Sequence, residues 1–191
     1  MADMVDTSEF RNGLKIEIDN EPYEIVYFQH VKPGKGSAFV RTKIRSLLSG
    51  RMLEPTFKSG DKLVRAEIEE KEMQYLYEQG GDFYFMDAKT YDQTFLSKDQ
   101  LGEARNFLKE NVVVSIVFYK GKPVGVTVPN TVELKVSVCD PGVRGDTVSG
   151  AQKPAKLETG YTVQVPLFIN EGDVVRVDTR TGEYLTRVAT A

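Results

Sequence analysis

The sequence has 191 residues, of which 40% are hydrophobic and 28% charged, and its formal net charge is −3. This composition is typical of a soluble globular protein and excludes a collagenous, coiled-coil or disordered chain. No apolar run approaches the roughly 20 residues of a membrane span, and no apolar segment follows the acidic N-terminus, so a cytoplasmic protein without a secretory signal is expected. Because Cys139 is the only cysteine, an intrachain disulfide and a multi-cysteine zinc site are excluded.

Positive charge is concentrated in one stretch of the chain. Residues 31–65 carry nine Lys and Arg against two acids, whereas residues 1–30 carry two against seven. Residues 66–130 and 131–191 have net charges of −4 and −1. A basic stretch in an otherwise acidic chain indicates either a solvated face or a local contact with a nucleic-acid backbone.

The first 65 residues are predicted to form about five short strands. Apolar and polar residues alternate over 13–19, and a turn leads to a second strand over 23–28. A longer or bent strand is predicted over 37–48, and residues 56–62 are predicted to form a turn. A small SH3-like (KOW-like) barrel would close these strands without leaving exposed edges.

Residues 66–129 are predicted to combine strands with one short helix. Gly80 and Gly81 mark a hairpin turn, and Ser97 with Gln100 three residues later forms a capping box. The apolar face of the helix is predicted to hold Leu101, Ala104 and Leu108. The predicted strands are residues 67–77, 83–86, 112–119 and 124–128. This order suits an OB-like five-stranded barrel.

Residues 130–191 are predicted to form another all-β unit. Alternation over 132–138 and 161–169, with a further strand over 174–177, favours a second OB-like barrel without a helix. The chain is therefore expected to be mostly β, with three small barrels in a row and one short helix in the middle one. The predicted domains are residues 1–65, 66–129 and 130–191.

The sequence offers no catalytic constellation. His30 is the only histidine and is interpreted as structural, and Cys139 is interpreted as a small buried hydrophobe before a turn. Residues 142–147 lack the Gly-Lys-Ser/Thr ending of a phosphate-binding loop. We therefore expect a protein that is not an enzyme and that needs no cofactor and no metal.

One loop between two predicted strands has unusual turn chemistry. Pro33 presets φ for the second position of a turn, and Gly34 permits a positive φ at the third. Lys35 lies between Gly34 and Gly36 and should stand at the tip of a narrow hairpin. These residues alone favour a polar hairpin loop with a solvated lysine.

A row of cations follows the loop. Arg41, Lys43 and Arg45 should share one face of a strand because side chains alternate with period two. Thr42 and Ile44 should then face the other way, towards the inside of the barrel. Three like charges on one outer face have no folding purpose, so the row is predicted to contact RNA phosphates.

Motifs in the first and last segments carry a resemblance to a known family. They are residues 10–16, 21–23, 31–39 and, more loosely, 58–61 in the first segment, and residues 145–147, 153–156, 165–168 and 177–184 in the last. Through these motifs the chain resembles the bacterial elongation factor P family over nearly its whole length. The resemblance implies one SH3-like and two OB-like barrels in an elongated, tRNA-mimicking molecule.

The resemblance also implies a function in translation. Such factors bind the ribosome between the peptidyl and exit tRNA sites, contact the rRNA of both subunits, and relieve stalling at consecutive prolines. They do no covalent chemistry themselves. A first-domain loop supports the CCA end of the peptidyl-tRNA, so that the ribosome's own catalytic centre has the correct geometry. The matching loop residues here are Lys32, Pro33, Gly34, Lys35 and Gly36.

Lys35 is the implied modification site. Tip lysines of the family are extended by a dedicated lysine-modifying enzyme, whereas rhamnosylation requires an arginine and is excluded here. A monomer is expected.

The resemblance further implies that the last domain contacts the small subunit near the codon. The residues concerned are Gly145, Asp146, Thr147, Gly150, Tyr184 and Arg187. A plain strand connection is the alternative for the loop, and core packing is the alternative for Tyr184.

Two other functions are open at this point. One is an elongation factor P-like paralogue with a different ribosomal role, against which the intact tip motif counts. The other is a general RNA-binding KOW/OB module, which requires stacking aromatics on an exposed face. Tyr75, Tyr77, Phe83 and Phe85 could supply them, although their alternation favours core and hairpin packing.

Overall fold

The computed structural model describes residues 3–142 and 150–191, and it is mostly β. Within these ranges it has 17 strands and one α-helix, α1 (Lys98–Leu101). The strands are β1 (Met4–Asp6), β2 (Lys15–Ile18), β3 (Glu21–Val31), β4 (Phe39–Ser46), β5 (Met52–Leu53), β6 (Thr56–Lys58), β7 (Lys62–Arg65), β8 (Ile68–Gln79), β9 (Asp82–Met86), β10 (Gln93–Ser97), β11 (Val113–Tyr119), β12 (Lys122–Thr127), β13 (Thr131–Cys139), β14 (Gln152–Leu157), β15 (Thr162–Pro166), β16 (Val174–Asp178) and β17 (Tyr184–Ala189). No helix in the described ranges is long and apolar enough to cross a membrane.

The strands form three sheets in chain order. The first has the order β1-β7-β2-β3-β4-β5, with β6 paired to β4. The second has the order β10-β9-β8-β11-β12, and the third β15-β14-β13-β16-β17. The predicted class, mostly β with one short α-helix, is confirmed for the described residues, while closure of the sheets into barrels stays a prediction.

Packing divides the chain into two compact units. One comprises residues 1–71 and 116–125, and the other comprises residues 72–115 and 126–191. The three predicted domains with boundaries near residues 65 and 129 therefore stay a prediction.

The first sheet surrounds an aliphatic core. Asp19 and Asn20 both have positive φ, 52° and 61°, which is the geometry of a two-residue hairpin turn between β2 and β3. Residues of β1, β2, β3 and β4 point inward from this sheet. The fully buried members are Val5, Ile16, Ile25, Val40 and Ile44.

The first sheet has seven strands rather than about five. The segment 56–62, predicted to be a turn, contains β6, a short turn and the start of β7. Both strands form because each pairs with a strand that is distant in the sequence. Phe39 of β4 pairs with Lys58, and Asp6 of β1 pairs with Lys62. The turn itself is held by Thr7, whose hydroxyl accepts a hydrogen bond from the Gly60 N–H at 2.8 Å.

The predicted capping box of the short helix is confirmed. The Ser97 hydroxyl accepts from the Gln100 backbone N–H at 3.3 Å, and the side-chain amide oxygen of Gln100 accepts from the Ser97 backbone N–H at 2.9 Å. The α-helix ends at Leu101 because Gly102 has a φ of +54°, and the chain continues as a 3-10 helix to Phe107. The residues of the predicted apolar face are therefore divided between the α-helix and the segment after it. Leu101 and Leu108 are buried, and Ala104 is half-buried.

Candidate functional site

The tip loop, residues 32–38, lies at the end of the β3–β4 hairpin. The register of these strands runs from Tyr23 opposite Ser46 to Val31 opposite Phe39. The Ser59 N–H donates to the Ala38 carbonyl at 3.0 Å, which ties the returning arm of the loop to the turn after β6. A regular ladder and a backbone anchor therefore position the loop.

Lys35 is exposed within this loop, as are its neighbours Gly34 and Gly36. No hydrogen bond or ion pair from residues 3–142 or 150–191 restrains its ammonium group. Lys32 is also exposed, while Pro33 is half-buried. The loop thus presents a free cation at its tip.

The backbone of the loop corrects one expectation. Gly36 has a φ of +104°, whereas Gly34 lies outside the left-handed region, so the predicted positive φ at Gly34 is wrong. A Cβ on Gly36 would meet only the Pro33 Cγ, at 3.9 Å. Glycine is therefore required at position 36 by backbone conformation rather than by lack of space.

The cation row is placed as predicted. Arg41, Lys43 and Arg45 are exposed on β4, and Thr42 and Ile44 are buried on the opposite side. The row lies beside the tip loop because β4 begins directly after it. This arrangement gives the outer face of the hairpin a local positive charge.

The expectation that the row has no folding purpose is wrong for two of its members. The Arg45 guanidinium lies 2.5 Å from a carboxylate oxygen of Glu24, and the Lys43 ammonium lies 3.3 Å from that of Glu54. The Arg41 guanidinium instead lies over the Phe39 ring, 5.6 Å from its centroid. Arg41 is therefore the member of the row whose charge no carboxylate of the described residues neutralises.

Glu24 connects the row to the neighbouring strand. Its other carboxylate oxygen accepts a hydrogen bond from the Lys15 ammonium at 2.9 Å. Partial burial opposes ionisation of Glu24, but the hydrogen bonds from Lys15 and Arg45 outweigh it and hold its pKa below the usual value. Glu24 is thus a carboxylate shared by two cations. Part of the role of Arg45 is therefore to stabilise the pairing of β3 with β4.

Tyr27 belongs to the same outer face and was missed by alternation. Tyr23 and Ile25 are buried, so a regular strand would bury Tyr27 as well. A register shift between Ile25 and Tyr27 turns its ring outward, where it is 46% exposed and opposite Lys43. An exposed ring beside cations is suited to stacking on a nucleotide.

The predicted site in the last segment is only partly described. Gly145, Asp146 and Thr147 lie outside the described residues. Gly150 is exposed, with a φ of +88°. Within the described ranges, no hydrogen bond or ion pair joins Gly150 to Tyr184 or Arg187.

Tyr184 and Arg187 have structural partners. Tyr184 packs against the core of the third sheet, as its alternative interpretation required. The Arg187 guanidinium lies 3.6 Å from the buried carboxylate of Asp173 and 5.1 Å from the centroid of the Phe168 ring. A cavity of about 500 Å³ adjoins Tyr184 and is lined by Tyr161, Thr162 and Thr181 among others.

The aromatics proposed for RNA stacking are mostly core residues. Tyr75, Phe83 and Phe85 are buried, and only Tyr77 is exposed. This arrangement supports the interpretation of ordinary packing for three of the four. The ring next to Tyr77 is that of Tyr84, which alternation had not singled out.

The remaining candidate chemistry has structural explanations. His30 is exposed and packs edge-on against Phe28, at a centroid distance of 5.8 Å. Cys139 is half-buried, with its Sγ 3.6 Å from the Ile169 carbonyl oxygen. Within the part of the chain that the structure describes, no group of three His, Cys, Asp or Glu side chains is arranged to hold a metal ion.

Comparison with known proteins identifies three family domains along the chain. The elongation factor P KOW-like domain matches residues 6–63, the elongation factor P OB domain matches residues 68–126, and the elongation factor P C-terminal domain matches residues 132–187. These matches have the same order as the motifs that carried the resemblance.

Relatives match over nearly the full length. Elongation factor P of Carboxydothermus hydrogenoformans is 54% identical over 185 residues, which are 97% of this chain and 100% of that protein. Elongation factor P of Coprothermobacter proteolyticus is 55% identical with the same coverage. Among solved structures, eukaryotic translation initiation factor 5A from Methanococcus jannaschii has a TM-score of 0.58 at 24% identity, over 66% of this chain and 93% of that one, which is a likeness of fold.

Proposed function

This chain belongs to the elongation factor P family, and from that premise we propose that it binds the ribosome beside the peptidyl-tRNA and promotes peptide bond formation at consecutive prolines. The family membership makes it a translation elongation factor that works with the ribosome, and not an enzyme. Its place of action is then the cytoplasm.

The exposed tip loop is the observation that carries the proposal. Proline is a poor partner in peptide transfer because its ring restrains the backbone, so correct orientation of the two substrates limits the rate. A loop that holds the CCA end of the peptidyl-tRNA restores that orientation, and orientation alone accounts for several kcal/mol of a barrier. Lys35, with no partner in the described chain, supplies a cation that can meet the tRNA backbone.

Modification of Lys35 fits the same geometry. Its side chain and the flanking Gly34 and Gly36 are all exposed, so a lysine-modifying enzyme can reach both the ammonium group and the backbone around it. An extension that keeps a positive end group lengthens the reach of the tip without changing its charge.

The outer face of β4 is the proposed docking face for RNA. Arg41 has no carboxylate partner in the described ranges, and the exposed Tyr27 ring lies on the same face. Lys43 is the next contributor because both it and Glu54 are well exposed, which makes their ion pair weak. Arg45 contributes least because Glu24 already holds it.

For the last domain we propose a contact with the small subunit near the codon. Gly150 and the preceding Gly145, Asp146 and Thr147 are its main element. Tyr184 and Arg187 are its proposed minor contributors, since the former packs on the core and the latter is paired with Asp173.

A reconstituted translation reaction tests the proposal. Ribosomes translating a message with three consecutive proline codons should form the Pro-Pro bond faster with the protein than without it. Lys35→Ala should lose most of this acceleration and still fold, because a solvated loop side chain contributes little to stability. Lys89→Ala, an exposed lysine in the turn after β9, is the matched control and should act like the parent. Full activity of Lys35→Ala, or equal loss in both variants, would overturn the proposal.

A further inference from the structure

Three aromatic rings form a row on the outer face of the second sheet. Tyr77 on β8 pairs with Tyr84 on β9, and Tyr84 pairs with Phe95 on β10. The rings of Tyr77 and Tyr84 are stacked, with centroids 5.0 Å apart and planes at 20°, and Phe95 follows at 5.8 Å. The two ends of the row, Tyr77 and Phe95, are 44% and 52% exposed.

The core of this sheet does not need the row. Its opposite face already buries Tyr75, Phe83 and Phe85. A register shift between Tyr75 and Tyr77 breaks the alternation and turns Tyr77 outward. Such bulges re-aim side chains, and contiguous exposed apolar surface commonly marks a binding site.

The charge around the row selects the chemistry of its occupant. Residues 72–97 contain five acids and a single basic residue, Lys89, for a net charge of −4. No Lys or Arg occurs in residues 72–79, β9 or β10, and Asp82 shares a face with Tyr84 because it lies two residues away on the same strand. A phosphate backbone would be disfavoured by this net negative charge, whereas a guanidinium is attracted both by the Asp82 carboxylate and by the negative face of a tyrosine ring.

We propose that the row of Tyr77, Tyr84 and Phe95 is a docking surface for an arginine-rich protein segment. The planar guanidinium groups stack on the rings, and the acidic surroundings set the sign of the partner's charge. The competing occupant, a single strand of RNA with its bases stacked on the rings, is an outcome of the test below.

The test uses the full-length protein and three defined probes, at 0.15 M salt. The probes are a ten-residue peptide of alternating Arg and Gly, the same peptide with Lys for Arg, and a ten-nucleotide oligo-uridine. Aromatic ¹H–¹³C spectra of the parent protein should show the rings of Tyr77, Tyr84 and Phe95 shifting with the arginine peptide first, the lysine peptide less, and the oligo-uridine not at all.

Variants then separate stacking from general charge. The double change Tyr77→Ser with Phe95→Ser should weaken arginine-peptide binding at least about five-fold, because two cation–π contacts are removed. Tyr91→Ser is the control, since Tyr91 is 71% exposed on the turn after β9 and outside the row. If the double variant fails to fold, ring shifts in the parent protein decide.

Three results would overturn the proposal: ring shifts with oligo-uridine instead of the arginine peptide, equal binding by the parent and the double variant, or no ring shift with any probe. The experiment contains no ribosomes and leaves the tip loop and the β4 row unchanged. Its outcome is therefore independent of the proposed function in translation.

Discussion

Tyr119 is expected to contribute more to stability than the neighbouring Lys120, although both bond the same carboxylate. The Tyr119 hydroxyl donates to Glu17 at 2.7 Å, and the Lys120 ammonium lies 3.0 Å from the same Glu17 oxygen. These hydrogen bonds hold the pKa of Glu17 below its usual value. All three residues belong to the first compact unit, where Tyr119 is buried with Ala66 and Val124.

The structure gives different magnitudes for the two changes. Tyr119→Phe removes a hydrogen bond to a charged group whose side chain is only 13% exposed, which costs about 1.5–2 kcal/mol. Lys120→Met removes an ion-pair partner that is 47% exposed, and screening by water makes that loss the smaller of the two. Tyr27→Phe, the same change at an exposed tyrosine of this unit, should cost less than about 0.5 kcal/mol.

Urea unfolding at pH 7 measures all three differences, and amide exchange at Ala66 and Lys120 reports the same region locally. The Ala66 N–H donates to the Lys15 carbonyl, and the Lys120 N–H donates to the Glu67 carbonyl, so both should exchange faster in Tyr119→Phe. Because the lowered pKa of Glu17 favours folding only while it is ionised, the cost of Tyr119→Phe should shrink as the pH falls below about 4.5. Equal, small costs for Tyr119→Phe and Lys120→Met would refute this reasoning.

Three further predictions concern the tip loop, the cation row on β4 and the loss of stability at low pH. Gly36→Ala should shift the amide resonances of the whole tip loop, because alanine resists a φ of +104°, whereas Gly34→Ala should shift only its neighbours. Arg41→Gln should weaken ribosome binding and lower its salt slope by about 0.7–0.9, and Arg45→Gln should do less because Glu24 already pairs with it. The hydrogen bonds from Arg180 lower the pKa of Asp178 to about 2, so its stabilisation is present above pH 4 and is lost as the pH falls towards 2; an acid titration of stability in Asp178→Asn should lack that last loss.

Local patterns predicted the elements whose signal lies in neighbouring residues. Period-two alternation placed Arg41 and Lys43 on one face of β4, and capping chemistry placed the start of α1 at Ser97. Each depends on a few consecutive residues and on backbone geometry. Tertiary contacts changed neither the exposed face of β4 nor the start of α1.

Strand β14 was missed because a charged residue occupies its inner face. Lys153 alternates with the buried Ala155 and Leu157, yet it is itself only 7% exposed. Its ammonium group donates to the Asp140 carbonyl at 2.5 Å, a contact with a residue 13 positions away. Pro154 in the same segment further disguised the strand.

The ion pairs of the row could not be predicted from the sequence for the same physical reason. Glu24 meets Arg45 across 21 positions, through the register of β3 on β4. That register includes the shift after Ile25, which also turned Tyr27 outward. Sequence alternation finds the face of a strand, but only pairing shows which charges on that face are already neutralised.

The position of the tip loop on a stalled ribosome tests the central claim most directly. A photoreactive amino acid at Ser37, exposed in the loop, leaves Lys35 in place, and the same amino acid at Lys89 is the control. On ribosomes stalled at consecutive proline codons, position 37 should crosslink to the 3′ end of the peptidyl-tRNA, and position 89 should not. Crosslinking of position 37 only to sites distant from the peptidyl-tRNA, or equal yields from both positions, would contradict the account.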